Sequence, residues 1–296
     1  MITLYRATCA IFLSLFAISS FSADPVSLTI QTGAGGLLHK YALELSPAFS
    51  NSANSPLVIE FRPGGNGSVA NQHLANDKST NLSLLFGFAQ SDVGIDQLTD
   101  ITPVLDIGTA PVLVVANPTL GVKSLKDLVN NPPKRPITFG VAAGSVNNDW
   151  IAEFVKNNKH IEFIVVPYKT GTAAITDVTG GHIDLSITSV QASLPLIQDG
   201  KITALAVLSP HRSSLIDVPT PREQGIRYPK DTVGFIHFFL WANPNADKDV
   251  VDKFRKNYAA WSKTAEAAEL FKKMDIGVNQ QLVAKPETSL RAILGK

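Results

Sequence analysis

Residues Leu28–Leu45 read "LTIQTGAGGLLHKYALEL": a short apolar strand, a glycine loop, and a helix whose Leu37, Leu38, Tyr41, Ala42 and Leu45 share one face. Strand, small-residue turn and helix in that order begin a βαβ unit and expose a helix N-terminus. The unpaired N–H groups there attract anions. The loop therefore raises the question of which anion, if any, it holds.

Spacing argues against a nucleotide. A dinucleotide fingerprint needs G-x-G-x-x-G, and "GAGGLL" has Leu38 where the third glycine belongs. The acidic residue expected about 20 positions downstream at a strand end is available only as Glu60. "RPGGNGS", Arg62–Ser68, lacks the Lys-Ser/Thr that completes a P-loop.

Outward from this stretch the same pattern repeats. Strands are predicted at Ser27–Gln31, Leu57–Phe61, Leu82–Phe86, Val104–Gly108, Val112–Ala116, Ile137–Val141, Phe163–Val166, Asp184–Thr188 and Thr203–Leu208. Several are Val/Ile/Leu-rich without alternation, as in strands buried on both faces. Helices are punctuated between them. Ser124 and Asp127 in "SLKDLV" resemble a capping box with Asp for Glu. "TAAITDVTGG" stops at Gly180–Gly181 and "LPLIQDGK" at Gly200. The alternation predicts an α/β protein with mainly parallel sheets. A late apolar strand in "DTVGFIHFFLWANP" precedes helices from Asp247 through Met274 and again from Pro286. This order suggests that the chain crosses back to finish an earlier lobe, leaving a cleft where small ligands bind.

Composition narrows the function classes. The 296 residues are 45% hydrophobic and 17% charged, enough for sizeable cores, and 26 Lys+Arg against 25 Asp+Glu argue against a nucleic-acid binder. Before Ala23 the only charge is Arg6, followed by the apolar run "ATCAIFLSLFAISSF" and the small residues of "SFSA". Residues 1–22 are read as a signal peptide; the competing reading is one N-terminal anchor helix, which usually needs roughly 20 apolar residues. Cys9 lies inside this segment, so no disulfide or cysteine metal site is expected after it. Export without disulfides suits a bacterial periplasm.

Catalytic motifs are missing: no G-x-S-x-G, no H-E-x-x-H, and six histidines (His39, His73, His160, His182, His211, His237) without ligand spacing. A triad assembled from distant residues stays open on this basis. No catalytic residue, metal or cofactor is predicted. What recurs is a small-residue loop after a strand: "TGAGG", "RPGGNGS", "FGFAQS", "GVAAGSVNND", "PYKTGTAA" and "ITSVQAS". Such loops can aim backbone N–H groups into one cleft and favour a small anionic solute. The competing reading is that the glycines only make tight βα turns.

Four segments carry a family resemblance. "EFRPGGNGSVA" resembles an N-R-P-G-A-G-G stretch, and "DITPVLDIGTAPVLVVANPTLGVKSLKDLV" a D-F-T-P-V segment that runs on to S-L-x-E-L. "VPYKTGTAAITDVTGGHIDL" is similar to a V-P-Y-K-G motif followed by D-L, G and D. "DGKITALAVLSPHRSSLIDVPTPREQGI" is similar to a G-K-L-R-A-L-A-V ending with P-T and E-x-G. In this order they resemble the tripartite tricarboxylate transporter solute-binding proteins, the TctC or Bug family.

The resemblance implies a type II periplasmic-binding-protein fold with two α/β lobes and a ligand cleft. Lobe 1 would be 23–117 plus 236–296 and lobe 2 118–235, with crossings near Val114–Pro118 and Gly234–Ala242. A carboxylate of an organic acid or amino acid would lie between Thr32, Gly33, Ala34, Gly35 and Gly36 on one side and Tyr168, Thr170, Gly171, Thr172 and Ala173 on the other. Phe88 and Gln90 would add a flat apolar surface and an amide, and Gly144, Ser145, Asn147 and Ser189 further contacts. Lys169 and Arg62 read more simply as surface or inter-strand residues than as carboxylate partners.

The implied role is non-catalytic: a monomer that captures a carboxylate for membrane permease subunits. A receptor serving a sensor kinase or binding a non-carboxylate is the alternative, and a periplasmic hydrolase or isomerase the third. The chain departs from the family pattern in places. His39 stands at the Asp position and Leu43 at the Arg position of the first loop, and Thr170 precedes a displaced Gly171. Asn147, Asn148 and Asp149 surround a helix start, where an Asp complements the dipole or, facing the cleft, repels a second carboxylate or receives an amine.

Overall fold

A computed structural model describes residues 24–88, 100–142, 147–168, 171–209, 212–226 and 235–293. The opening stretch forms β1 (Val26–Ile30) and α1 (Leu37–Ala53), followed by β2 (Leu57–Phe61), α2 (Ser68–Ala75) and β3 (Ser83–Phe88). β1 pairs in parallel with both β2 and β3. The stripe of α1 buries Leu38, Tyr41, Ala42, Leu45, Ala48 and Phe49 against this sheet, with Leu37 packed at its edge. Pro47 lies within α1 and cannot donate to the carbonyl of Leu43. The Ser46 hydroxyl does so instead, at 2.9 Å.

β4 (Thr102–Ala116) is one strand of 15 residues where two were expected. After it come α3 (Leu125–Asn130), β5 (Ile137–Ala142), α4 (Asn148–Asn157), β6 (Phe163–Tyr168), α5 (Gly171–Gly180), β7 (Leu185–Ser189), α6 (Val190–Gln198) and β8 (Thr203–Leu208). β9 (Phe235–Ala242) and the helices α7 (Lys248–Trp261), α8 (Ala265–Met274) and α9 (Pro286–Ile293) complete the described chain. At the start of α3 the Ser124 hydroxyl accepts from Asp127 N–H, while the shorter Asp127 carboxylate reaches Lys123 N–H rather than that of Ser124.

β4 joins two sheets. Its first part, through Pro111, pairs with β9, whereas Val112–Ala116 lie between β7 and β8. The exchange of partners falls between Pro111 and Val112, upstream of the segment expected for a crossing. The first sheet runs β2-β1-β3-β9-β4 and the second β6-β5-β7-β4-β8, the same order of roles in each. Parallel pairing is confined to β1–β3 and β5–β7; β4, β8 and β9 are antiparallel to their partners. The unbroken apolar runs of β4 and β9 therefore reflect cover on both faces rather than parallel pairing. Val112, Val114 and Ala116 enter one core cluster while Leu113 and Val115 enter another. In β9, Phe238, Leu240 and Ala242 face one cluster, Phe239 and Trp241 another.

The C-terminal helices pack back on the first sheet. Phe254 and Tyr258 of α7 meet Phe49 of α1, and Ser289 of α9 donates to Asp106 of β4. Side-chain bonds also link these helices to the second sheet's elements. Gln191 of α6 donates to the Lys273 carbonyl at 3.1 Å, and Ser213 and Ser214 donate to the Asp275 carboxylate.

Candidate functional site

The loop between β1 and α1 is open where an anion would approach. Among the described residues, and apart from the chain neighbours, no heavy atom lies within 4 Å of where a Cβ would stand on Gly33 or Gly35, and Gly35 has φ +83°. Gly36 is the N-cap of α1 and supplies no side-chain acceptor; the first turn carries no acidic residue. The terminal N–H groups of this 17-residue helix are thus left to whatever occupies the loop. Thr32 Oγ1 is buried without a hydrogen-bond partner among the described residues.

His39 tightens the loop from within the helix. Its Nδ1 accepts from the Gly35 N–H at 2.9 Å, and its ring meets Phe61 edge-on with centroids 4.8 Å apart. An accepting Nδ1 carries no proton, so a neutral ring holds it on Nε2. Leu43, one turn further, is 52% exposed.

Sequence reasoning missed the residue behind the loop. Gln31 is buried; its Oε1 accepts from Phe88 N–H and its Nε2 donates to Asn71 Oδ1, each at 2.9 Å. A polar residue immediately after an apolar strand, opposite glycines in the neighbouring segments, was the available signal. Phe88 itself packs its ring on Phe238, centroids 5.7 Å apart.

In the second sheet the loop expected to face Thr32–Gly36 follows β6, the strand that matches β2 in the order of roles. Gly171 begins α5 with space among the described residues where a Cβ would stand, Thr172 and Ala173 are exposed, and the first turn again carries no acidic residue. Tyr168 directs its side chain toward β5 and α5. Its ring passes 3.2 Å from where a Cβ of Gly140 would stand, and its hydroxyl donates to Asp177 Oδ2 at 2.6 Å. That hydrogen bond, helped by burial and by the carboxylate's charge, pushes the phenol up to about 12. Asn147 is buried at the start of α4, its carbonyl accepting from Ile151 N–H at 3.0 Å. Ser189 caps α6, its hydroxyl accepting from Ala192 N–H at 3.3 Å. Gln90, Gly144, Ser145, Lys169 and Thr170 lie outside the described residues, as does the side chain of Asp149.

Arg62 pairs with Glu60 at 3.1 Å, and His73 lies 3.9 Å from the same carboxylate. His237 bonds Asp106 across β4 and β9 at 2.7 Å, far in character from an open site. Among the described residues no three His, Cys, Asp or Glu side chains are grouped to hold a metal ion. The arrangement offers neutral donors at helix starts beside both sheets, which is chemistry suited to an anion.

The sequence model of the tripartite tricarboxylate transporter family receptors, TctC, matches residues 44–285. BugT of Bordetella pertussis is 26% identical over 224 residues, 71% of this chain and 68% of BugT. Rpa4515 of R. palustris, solved with adipate, superposes with a TM-score of 0.76 at 24% identity over 92% of this chain and 94% of that one. MatC of Rhodopseudomonas palustris, solved with bound malate, gives 0.75 at 18% identity over 92% and 95%. The shared fold is the mixed α/β architecture of periplasmic binding proteins of this type. With the family's sequence model matched over most of its length, the chain belongs to the TctC family of tripartite tricarboxylate transporter receptors.

Proposed function

We propose that the protein is a non-catalytic periplasmic receptor that closes two lobes, one built on each sheet, over a small carboxylate-bearing metabolite. The observation that carries this reading is the Thr32–Gly36 loop: a buried Thr hydroxyl without a partner among the described residues, beside a helix N-terminus that no side chain caps. A carboxylate accepts from several such donors at once, and charge-assisted bonds of this kind are about twice as strong as neutral ones. The loop at Gly171, Thr172 and Ala173 supplies the opposing donors, with Asn147, Ser189 and Phe88 at the margins. Gln90, Gly144, Ser145 and Thr170 belong to the same proposed set. Adipate in Rpa4515 and malate in MatC support a carboxylate guest.

Closure would proceed by rotation about the crossings, β4 at Pro111/Val112 and the entry to β9, as in hinge-bending receptors. The closed, loaded form would then present itself to membrane permease subunits. A thermal-shift screen against organic acids, amino acids and amides tests the reading. A carboxylate at 100 times its Kd should stabilise the protein by about 2.7 kcal/mol. Stabilisation by amides or other neutral solutes alone, or by nothing in the panel, would count against it.

A further inference from the structure

Gln31 occupies a place that an aliphatic residue would fill equally well by volume, yet it is an amide in a buried setting, 6% exposed. Its two bonds reach residues 57 and 40 positions away, Phe88 and Asn71, and Asn71 is itself 1% exposed in the first turn of α2. The neighbouring segments make room for it with glycines. A Cβ on Gly87 would stand 2.1 Å from Gln31 Oε1, and one on Gly67, at φ +94°, would stand 3.0 Å from Cδ and Nε2. The amide therefore sits between a glycine of β3 and a glycine of the Arg62–Ser68 loop. Its orientation follows from its partners, since only the oxygen can accept from Phe88 N–H and only the nitrogen can donate to Asn71 Oδ1.

We propose that the Gln31–Asn71 pair is a positioning device that locks three segments to one another: the Thr32–Gly36 loop, the Arg62–Ser68 loop, and the exit of β3 at Phe88. Gln31 leads into the first through its backbone, lies against Gly67 of the second and bonds Asn71 in the helical turn that follows it, and takes the Phe88 N–H on its Oε1; a buried amide bonded on both sides holds its neighbours more tightly than dispersion contacts alone. The wall of the cleft is thereby set before a ligand arrives, so that binding does not have to order it. The effect on ligand affinity rests on the carboxylate reading above; the effect on the loops does not.

Hydrogen–deuterium exchange on the folded chain tests the pair, using Gln31→Leu, Asn71→Leu and the double variant. Each single variant should speed exchange at least tenfold in peptides covering Gln31–Gly36, Arg62–Asn71 and Phe86–Phe88 together. Peptides of β5 and β7 should be unchanged, and the double variant no faster than the worse single, because the two residues act as a unit. Uniform acceleration along the chain, acceleration confined to the substituted segment, or additive singles would overturn the proposal. Asn71→Leu leaves β1 intact and carries the test if Gln31→Leu does not fold. Titration with adipate and malate adds a second arm, in which each variant should bind at least tenfold more weakly than the unaltered protein. Binding of neither by the unaltered protein would count against the carboxylate reading, while the exchange data would still decide this one.

Discussion

The Nδ1 of His39 accepts a hydrogen bond from the backbone N–H of Gly35 at 2.9 Å, so the helix that follows the glycine loop also closes it. The imidazole supplies this acceptor without adding negative charge beside the candidate anion site. His39→Ala should destabilise the protein by about 1 kcal/mol, the net worth of one such bond, and weaken carboxylate binding. His39→Asn, whose Oδ1 can stand near the place of Nδ1, should keep most of both. Thermal denaturation and calorimetric titration check the pair, and long-range nitrogen NMR should find the proton on Nε2.

Tyr168 provides a contrast, because its hydroxyl is bound to Asp177 rather than free for a ligand. Tyr168→Phe should cost about 1 kcal/mol of stability, as for the loss of one partly buried hydrogen bond, and leave ligand affinity within about twofold. A much larger loss of affinity in titration would return the hydroxyl to the site.

Much of the architecture was legible because apolar runs and glycine punctuation are local signals. β2 and β8 fall at the predicted residues, and most other strands within one or two positions. β4 was not legible as one strand, since Gly108 and Pro111 look like breakers. Gly108 has φ +123°, and a Cβ there would stand 2.5 Å from the Gly277 carbonyl. The glycine admits a distant segment that bridges Thr109, at 2.9 and 2.8 Å through its carbonyl and N–H, and the strand continues past a register shift. The loops of the candidate site were visible for the same local reason, but Gln31 was not. Its partners lie in other segments, and no periodicity within its own strand announces them.

Asp275 makes a second long-range connection. At φ +55° it caps α8, and its carboxylate accepts from Ser213 Oγ at 2.5 Å and from Ser214 N and Oγ at 3.1 and 3.0 Å. Asn tolerates that backbone conformation but returns only one acceptor oxygen. Asp275→Asn should therefore lower stability by about 1.5–3 kcal/mol in urea denaturation, the range for bonds to a charged group. Asp275→Ala should cost more, since it adds backbone strain in the left-handed region.

Asp184 predicts the acid limb of the stability curve. Burial pushes its carboxyl up, but the Arg135 guanidinium and the N–H and hydroxyl of Thr138 outweigh burial and hold it below its ordinary value. A lowered folded pKa means that folding favours the ionised form. The contribution is complete above the unfolded value of about 4 and is lost as pH falls through the lower, folded one. Arg135→Gln should flatten this dependence while leaving neutral-pH ligand binding unchanged, as denaturation midpoints between pH 2 and 5, roughly the carboxylate range, would record.

The most direct measurement is a crystal structure of the protein with the metabolite that stabilises it in the screen. The account predicts a carboxylate with its oxygens about 2.7–3.2 Å from backbone N–H groups of the Thr32–Gly36 loop and the start of α1, with Thr32 Oγ1 donating to it and Gly171–Ala173 on the opposite side. A ligand without a carboxylate, or a carboxylate bound away from the Thr32–Gly36 loop, would contradict it.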